Sequence, residues 1–197
     1  TNGKGSIFDA ELIDAHPKRA VANLSNQRQG YDNRSFKLSI AIAPTKLNER
    51  TEWFLEKATE IGIDEIKLFA SYHSERRIAN VERFRKIVIA AMKQSVKSNM
   101  PVIEEMQSFE KLVKQDFDGQ KFIAWIDDNV KEQLCDLYNK GARALVLIGP
   151  EGDFSKEEVE LAKNNGFVPV SLGEARLRTE TAAIVACNTI QLINQMK

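Results

Sequence analysis

Apolar and polar residues alternate along most of this chain in blocks that predict strands and helices in turn. Short apolar runs bounded by turn-forming residues are typical of buried strands, and they occur at residues 36–43, 66–70, 122–126, 144–148 and 167–172. Apolar residues spaced three and four apart predict longer helices over residues 48–61, 80–98 and 179–195. This alternation predicts an α/β fold with a mainly parallel sheet that is covered on both faces.

The first 33 residues follow a different pattern. Residues 5–14 and 19–25 predict two short strands, and the polar residues 25–33 predict a linker. Two strands alone do not make a stable domain. Because the chain also starts without methionine, we expect that an N-terminal portion is missing, and we divide the chain into residues 1–33 and 34–197.

Composition and cysteine usage narrow the class of protein. A hydrophobic content of 43% and a charged content of 28% are ordinary for a globular protein. The longest apolar runs are too short to cross a bilayer, so we expect a cytoplasmic protein without membrane contact. Two cysteines are too few for a disulfide scaffold, and with two scattered histidines they predict no metal site.

The net charge of zero conceals two segments of opposite charge. Residues 73–97 hold seven basic and two acidic residues, a balance of +5, whereas residues 127–163 hold five basic and nine acidic residues, a balance of −4. A basic segment of this kind can face phosphates, although the charge alone slightly favours a solvated helix face.

Two loops near the C-terminus carry the candidate chemistry. The first, Gly149-Pro150-Glu151-Gly152, follows an apolar strand and precedes a helix whose start, Ser155 to Glu158, fits a capping box. Ligands of open α/β sheets bind at this carboxyl edge, but the loop has neither a Walker nor a dinucleotide-binding spacing. An ordinary tight turn is the alternative.

The second loop, residues 171–182, places Arg178 immediately before a helix. A positive charge at the positive end of a helix dipole is unfavourable without an anionic partner, so we expect a ligand, a phosphate or a buried carboxylate nearby. Glu180, in the first helical turn, also complements the dipole by itself.

Taken together, these loops resemble the bacterial ribosomal RNA small subunit methyltransferase E family, in which uridine N3 of 16S ribosomal RNA is methylated and which belongs to the SPOUT superfamily. Further segments agree with the family pattern: Pro44-Thr45-Lys46, residues 56–62, His73-Ser74-Glu75-Arg76 and residues 91–95. The resemblance covers residues 34–197, and the first strands resemble the tail of a PUA-like β-barrel. Many members carry glycine where this chain has Asp153, and arginine where it has Lys97.

The resemblance implies a SPOUT-type α/β fold with a C-terminal trefoil knot, preceded by the remnant of a PUA-like RNA-binding β-barrel, and a homodimer that packs through the knot. It implies that S-adenosyl-L-methionine is the cofactor and that the partner is 16S ribosomal RNA, in the assembled small subunit or as naked RNA. The cofactor site would include Leu147, Ile148, Gly149, Glu151, Gly152, Leu172, Gly173 and Leu177.

The same resemblance assigns the reaction and the RNA contacts. Arg178 would stabilise the developing uracil anion or hold its phosphate, and Glu180 would accept the proton or merely complement the helix dipole. Phosphate contacts would come from Lys46, Arg76, Arg77 and Lys97, and a polar contact to the base or loop from Gln94.

Two other functions stay open from the sequence. A non-catalytic RNA-binding module would use the basic segment and would have no need of the glycine loops. A nucleotide-dependent enzyme of the doubly wound class would hold phosphates at residues 149–152, and the missing fingerprint counts against it.

Overall fold

The computed structural model describes residues 1–127 and 129–196, and within these it has nine strands and six helices. The strands are β1 (Ser6–Asp14), β2 (Val21–Gln29), β3 (Leu38–Ile42), β4 (Glu65–Ala70), β5 (Val102–Ile103), β6 (Gln107–Ser108), β7 (Gln120–Ala124), β8 (Ala144–Ile148) and β9 (Val168–Val170). The helices are α1 (Asn48–Ile61), α2 (Val81–Gln94), α3 (Phe109–Val113), α4 (Leu134–Leu137), α5 (Lys156–Asn164) and α6 (Thr179–Gln195).

Seven of the described strands form one parallel sheet in the order β5-β4-β3-β8-β7-β9, with β6 paired to β4. The central strands β3 and β8 are buried along their whole length, as expected for a sheet covered on both faces. The prediction of an α/β fold with a mainly parallel sheet is therefore confirmed.

Alternate residues of the central strands face two separate apolar layers. Ile40 and Val146 pack in the layer that contains residues of α1, α2 and α6, whereas Ala41 and Leu145 pack in the layer that contains residues of α3 and α5. Each fully buried large side chain contributes about 1.5–3 kcal/mol to folding. Because successive side chains of each strand point to opposite faces, helices can pack against both faces of the sheet.

Several predicted boundaries were wrong. Residues 25–29 belong to β2, which pairs antiparallel with β1, so the polar linker is shorter than predicted. Helix α2 ends at Gln94 rather than Ser98, because Ser95 caps it and Val96 turns into the left-handed region at φ 55°. The elements β5, β6, α3 and α4 were not predicted, since two to five residues are too few to show a periodicity.

The hairpin of β1 and β2 is anchored at its base to the segment that follows α2. The Asp32 carboxylate accepts hydrogen bonds from the Ser98 amide at 2.9 and 3.0 Å and from the Asn99 amide at 3.0 Å. The Tyr31 hydroxyl donates to the Ser95 carbonyl at 2.7 Å. Residues 6–8 of β1 are half-buried, and the rest of the hairpin is exposed, including its apolar residues Leu12, Ile13, Val21 and Leu24.

The parallel strands bring several loops to one edge. Because β3, β4, β7, β8 and β9 run in the same direction, the segments after their last residues all lie at the carboxyl edge of the sheet. None of the described helices has the length and apolar character that crossing a membrane requires.

Candidate functional site

A cavity of about 710 Å³ lies at the carboxyl edge, between the loops that follow β7, β8 and β9. This volume is within the range of small-molecule sites. Six of the eight residues predicted for a cofactor line it: Ile148, Gly149, Glu151, Leu172, Gly173 and Leu177. The two glycine loops therefore meet around one cavity.

The other two predicted cofactor residues lie outside the lining. Leu147 is fully buried in the layer beneath α3 and α5, on the opposite face of β8 from Ile148. Gly152 packs closely against His73. A Cβ atom built on Gly152 would lie only 2.9 Å from the His73 Cβ.

The first loop is shaped by close packing. A Cβ atom on Gly149 would lie 3.1 Å from the Phe154 ring and 3.2 Å from Asp153 Oδ1, so a larger residue would displace these neighbours. The loop then enters α5 through the predicted capping box, in which Ser155 Oγ accepts from the Glu158 amide and Glu158 Oε2 accepts from the Ser155 amide. The loop is thus held between a buried strand and a capped helix.

The second loop is fastened to the segment that follows β7. The Ser171 amide donates to the Glu132 carbonyl at 2.8 Å, and the Ser171 carbonyl accepts from the Leu134 amide at 3.1 Å. Gly173 has a φ of 115°, a conformation that favours glycine. The loop then runs along the cavity as far as Arg178, which lines the cavity with an exposed side chain.

Arg178 and Glu180 face different surroundings. Arg178 is the N-cap residue of α6, and its side chain makes no capping hydrogen bond. Glu180 is 7% exposed and lies outside the cavity lining, with its Oε1 3.7 Å from Arg50 Nε of α1. The Oε2 atom of Glu180 is buried and has no hydrogen-bond partner among the described residues. A buried carboxylate oxygen without a donor is unusual and calls for an explanation.

Of the predicted RNA contacts, Lys46, Arg76 and Arg77 gather at the carboxyl edge. Arg76 donates to the Thr45 and Lys46 carbonyls at 3.2 and 2.8 Å, and Arg77 donates to the Ser71 and Tyr72 carbonyls at 3.3 and 3.2 Å. Lys46 Nζ pairs with Glu75 at 2.8 Å, which raises the pKa of the lysine. The arginines thus also hold the loops together.

The remaining two predicted RNA contacts lie at the opposite edge of the sheet. Gln94 ends α2, and Lys97 follows it with its Nζ 5.5 Å from the centre of the Tyr31 ring. Burial lowers the pKa of Lys97, because an ammonium group loses hydration there. The five residues therefore form two groups, one beside the cavity and one beside the hairpin.

Asp153 was not predicted as a site residue, yet it lines the cavity. Burial raises the pKa of this carboxyl group, against the opposing effects of amide hydrogen bonds from Phe154 and Ile126 and of the charges on Arg176 and His73. Its backbone has a φ of 60°, which is uncommon for a residue other than glycine.

The sequence prediction also missed the loop that follows β7. It contributes Trp125, Ile126, Asp127, Val130, Lys131 and Gln133 to the lining. The predicted strand over residues 122–126 was the available signal, since its carboxyl end had to lie at the same edge as the glycine loops. Among the described residues, no group of three or more His, Cys, Asp or Glu side chains is arranged to hold a metal ion.

Comparison with known proteins identifies the relatives of this chain. The sequence model of the RNA methyltransferase domain family matches residues 32–191. The ribosomal RNA small subunit methyltransferase E of Rickettsia conorii is 27% identical over 198 residues, which cover 98% of this chain and 79% of that protein. The Bacillus subtilis protein of the same name is 27% identical, over 81% of this chain and 68% of its own length.

Solved structures agree with these relatives. The crystal structure of a probable rRNA-methyltransferase from Porphyromonas gingivalis has a TM-score of 0.92 and 45% identity, covering 98% of this chain and 83% of that one. The structure of a ribosomal RNA small subunit methyltransferase E from Neisseria gonorrhoeae bound to S-adenosyl methionine has a TM-score of 0.87 and 26% identity. The match covers 96% of this chain and 80% of that one. Because the family model spans most of its length, this chain belongs to the RNA methyltransferase domain family, and its resemblance to the ribosomal RNA small subunit methyltransferase E proteins is confirmed.

Proposed function

We propose that this chain is an S-adenosylmethionine-dependent methyltransferase that acts on N3 of a uridine in 16S ribosomal RNA. The observation that carries the proposal is the cavity between the two glycine loops at the carboxyl edge of the sheet. The relatives support the same function, since the solved neighbour from Neisseria gonorrhoeae carries S-adenosyl methionine.

The residues around the cavity fit such a cofactor. Apolar side chains of Ile148, Leu172 and Leu177 offer contacts for an adenine ring, and Gly149 and Gly173 place the backbone of the two glycine loops in the cavity lining. When bound, the cofactor supplies an activated methyl group. Leu147 and Gly152 would act through the shape of the first loop rather than through the cavity wall.

Methylation of uracil N3 requires that this nitrogen lose its proton. We assign charge stabilisation to Arg178, because its guanidinium is exposed at the cavity wall and free of any capping hydrogen bond in the described structure. We assign the role of proton acceptor to Glu180 if the uracil ring reaches its unpartnered Oε2. Complementing the helix dipole is the alternative role of Glu180.

RNA binding would use both groups of basic residues. Lys46, Arg76 and Arg77 lie at the same edge as the cavity, where phosphates near the target base would pass. Gln94 and Lys97 lie beside the hairpin. We propose that residues 1–33 are the C-terminal part of an N-terminal PUA-like RNA-binding domain plus a linker, and that residues 34–197 form a SPOUT methyltransferase domain.

The path of the C-terminal segment supports the proposed trefoil knot. After β9, at the end of the described sheet, Ser171 runs along residues 132–134, and α6 then packs over β3, β8 and α1 near the centre of the sheet. We infer that the chain crosses the connection between β7 and β8 to reach this position. The proposal also includes a homodimer whose subunits pack through this region. It further includes a substrate in the assembled small subunit and a cytoplasmic location.

Cofactor binding is the first test. Calorimetry and thermal shift with S-adenosylmethionine, ATP and NAD should show binding of S-adenosylmethionine alone, and a ligand at about a hundred times its Kd should stabilise the fold by roughly 2.7 kcal/mol. Binding of only ATP or NAD would support a nucleotide-dependent enzyme, and RNA binding without any of the three would support an RNA-binding module. Nucleoside mapping of small subunits and of naked 16S RNA would then identify the methylated atom and the substrate.

The role of Arg178 is tested by substitution. Arg178→Ala should abolish methyl transfer and leave the melting temperature unchanged, because the side chain is exposed and caps nothing. Arg178→Lys keeps the charge but loses the planar fork, so it should retain part of the activity. Turnover of Arg178→Ala at the wild-type rate would exclude the assigned role.

A further inference from the structure

Asp153 makes hydrogen bonds to three segments of the carboxyl edge. Its Oδ1 accepts from the Phe154 amide at 2.8 Å within its own loop, and its Oδ2 accepts from the Ile126 amide at 3.1 Å in the loop after β7. Its carbonyl oxygen lies 3.1 Å from His73 Nδ1 and accepts from it in the Nδ1–H tautomer. One residue thus connects the loops after β4, β7 and β8.

The hydrogen bond to Ile126 is placed where the loop after β7 leaves the sheet. The Trp125 amide, one residue earlier, donates to the Val170 carbonyl of β9 at 3.2 Å. Among the described residues beyond Ile126, the next hydrogen bond from this loop to a distant segment joins the Glu132 carbonyl to the Ser171 amide. The bond to Asp153 is thus made at the start of the stretch that covers one side of the cavity.

The backbone of Asp153 points to the same conclusion. Its φ of 60° is a left-handed conformation that glycine adopts more readily than aspartate. Strain of this kind persists where the surrounding contacts over-determine the conformation, and it concentrates at functional sites. Here the contacts are the two amides that the carboxylate holds.

We propose that Asp153 is a positioning residue that fastens the loop of residues 125–127 over the cavity, and that this fastening sets the affinity for S-adenosylmethionine. This second part rests on the proposed function. Asparagine cannot replace the carboxylate, because it offers one acceptor oxygen and turns an NH₂ group toward the second amide.

The test compares Asp153→Gly and Asp153→Asn with wild type. Glycine accepts the left-handed backbone and asparagine tolerates it, so both variants should fold. Each should bind S-adenosylmethionine about tenfold more weakly or worse by calorimetry, the effect of losing a hydrogen bond to a charged group. In the free proteins, the Ile126 amide should exchange its hydrogen faster than in wild type.

Val96→Gly is the matched control. Val96 also has a left-handed backbone, with a φ of 55°, but it is exposed at the end of α2 and does not line the cavity. This variant should leave both the Kd for S-adenosylmethionine and the hydrogen exchange of the Ile126 amide unchanged.

The possible outcomes separate the two proposals. Unchanged hydrogen exchange at the Ile126 amide in both Asp153 variants would contradict the proposal that Asp153 holds the loop. Faster exchange with an unchanged Kd for S-adenosylmethionine would contradict the proposed effect on affinity. If the wild-type chain binds no S-adenosylmethionine, the proposed function and the affinity part fail together, while exchange in the free protein still decides whether Asp153 fastens the loop.

Discussion

At the scale of single residues, Gly30 shows how closely the hairpin packs on the rest of the chain. A Cβ atom built on Gly30 would lie 1.9 Å from Ser98 Oγ and 2.3 Å from Ser98 Cβ, and Ser98 is fully buried. The sequence placed Gly30 in a polar linker, where glycine predicts freedom of the backbone. The structure instead requires glycine there because no side chain fits.

Gly30→Ala should lower the free energy of unfolding by roughly 1–3 kcal/mol, the usual effect of overpacking. Urea denaturation measures this change. Adding Ser98→Gly removes the two nearest clashing atoms and leaves Asp32 Oδ1 at 2.8 Å, so the double variant should lose less stability than the sum of the two single variants. A Gly30→Ala variant as stable as wild type would show that the segment after α2 moves aside freely.

At the scale of elements, the capping box of α5 was predicted from Ser155 and Glu158 and is confirmed. The structure adds a contact that the sequence could not indicate, since Glu158 Oε1 also accepts from the Tyr72 amide at 2.8 Å. Tyr72 lies 86 positions away along the chain. The carboxylate therefore caps a helix and holds the loop after β4 at the same time.

Ser155→Ala should lower the free energy of unfolding by about 1 kcal/mol, as is typical for the loss of an N-cap side chain. Glu158→Ala should lower it further, because it also leaves the Tyr72 amide without its acceptor. Chemical denaturation of both variants gives the comparison. Glu160→Ala, an exposed position of the same helix, is the control and should change little. Equal losses for the two variants would mean that the Tyr72 contact adds nothing.

At the scale of the whole molecule, Asp32 joins the two-stranded hairpin to the segment after α2, which leads into the larger sheet. Burial disfavours its charge, but the hydrogen bonds from Ser98 and Asn99 outweigh this effect and hold the pKa of Asp32 below its ordinary value. A lowered pKa stabilises the fold at every pH above the ordinary value of about 3.9. This contribution is lost as the pH falls through the lowered pKa.

Asp32→Asn should therefore lower the free energy of unfolding by about 1 kcal/mol near neutral pH, and the difference from wild type should shrink below about pH 4. Denaturation curves across this range measure the effect. Asp9→Asn is the control, because Asp9 pairs with Arg28 on the exposed hairpin and should show no comparable loss. A difference that stays constant with pH would exclude the carboxylate as its cause.

The order and kind of the main elements could be predicted from local patterns in the sequence. The boundaries of α1, β8 and α6 agree with the prediction at both ends, and those of β4 agree within one residue. The two glycine loops were also predicted at the carboxyl edge, and the structure places both around the cavity. These features are readable because periodicity, capping and turn residues act between positions that are close in the chain.

The contacts between distant side chains could be seen only in the three-dimensional structure. It placed the loop after β7 against the cavity, separated Arg178 from Glu180, and turned Arg76 and Arg77 toward backbone carbonyls. It also joined Asp153 to Ile126, 27 positions earlier in the chain. These contacts depend on where parallel strands end and on how their loops pack, and such long-range geometry leaves no periodic pattern in the sequence.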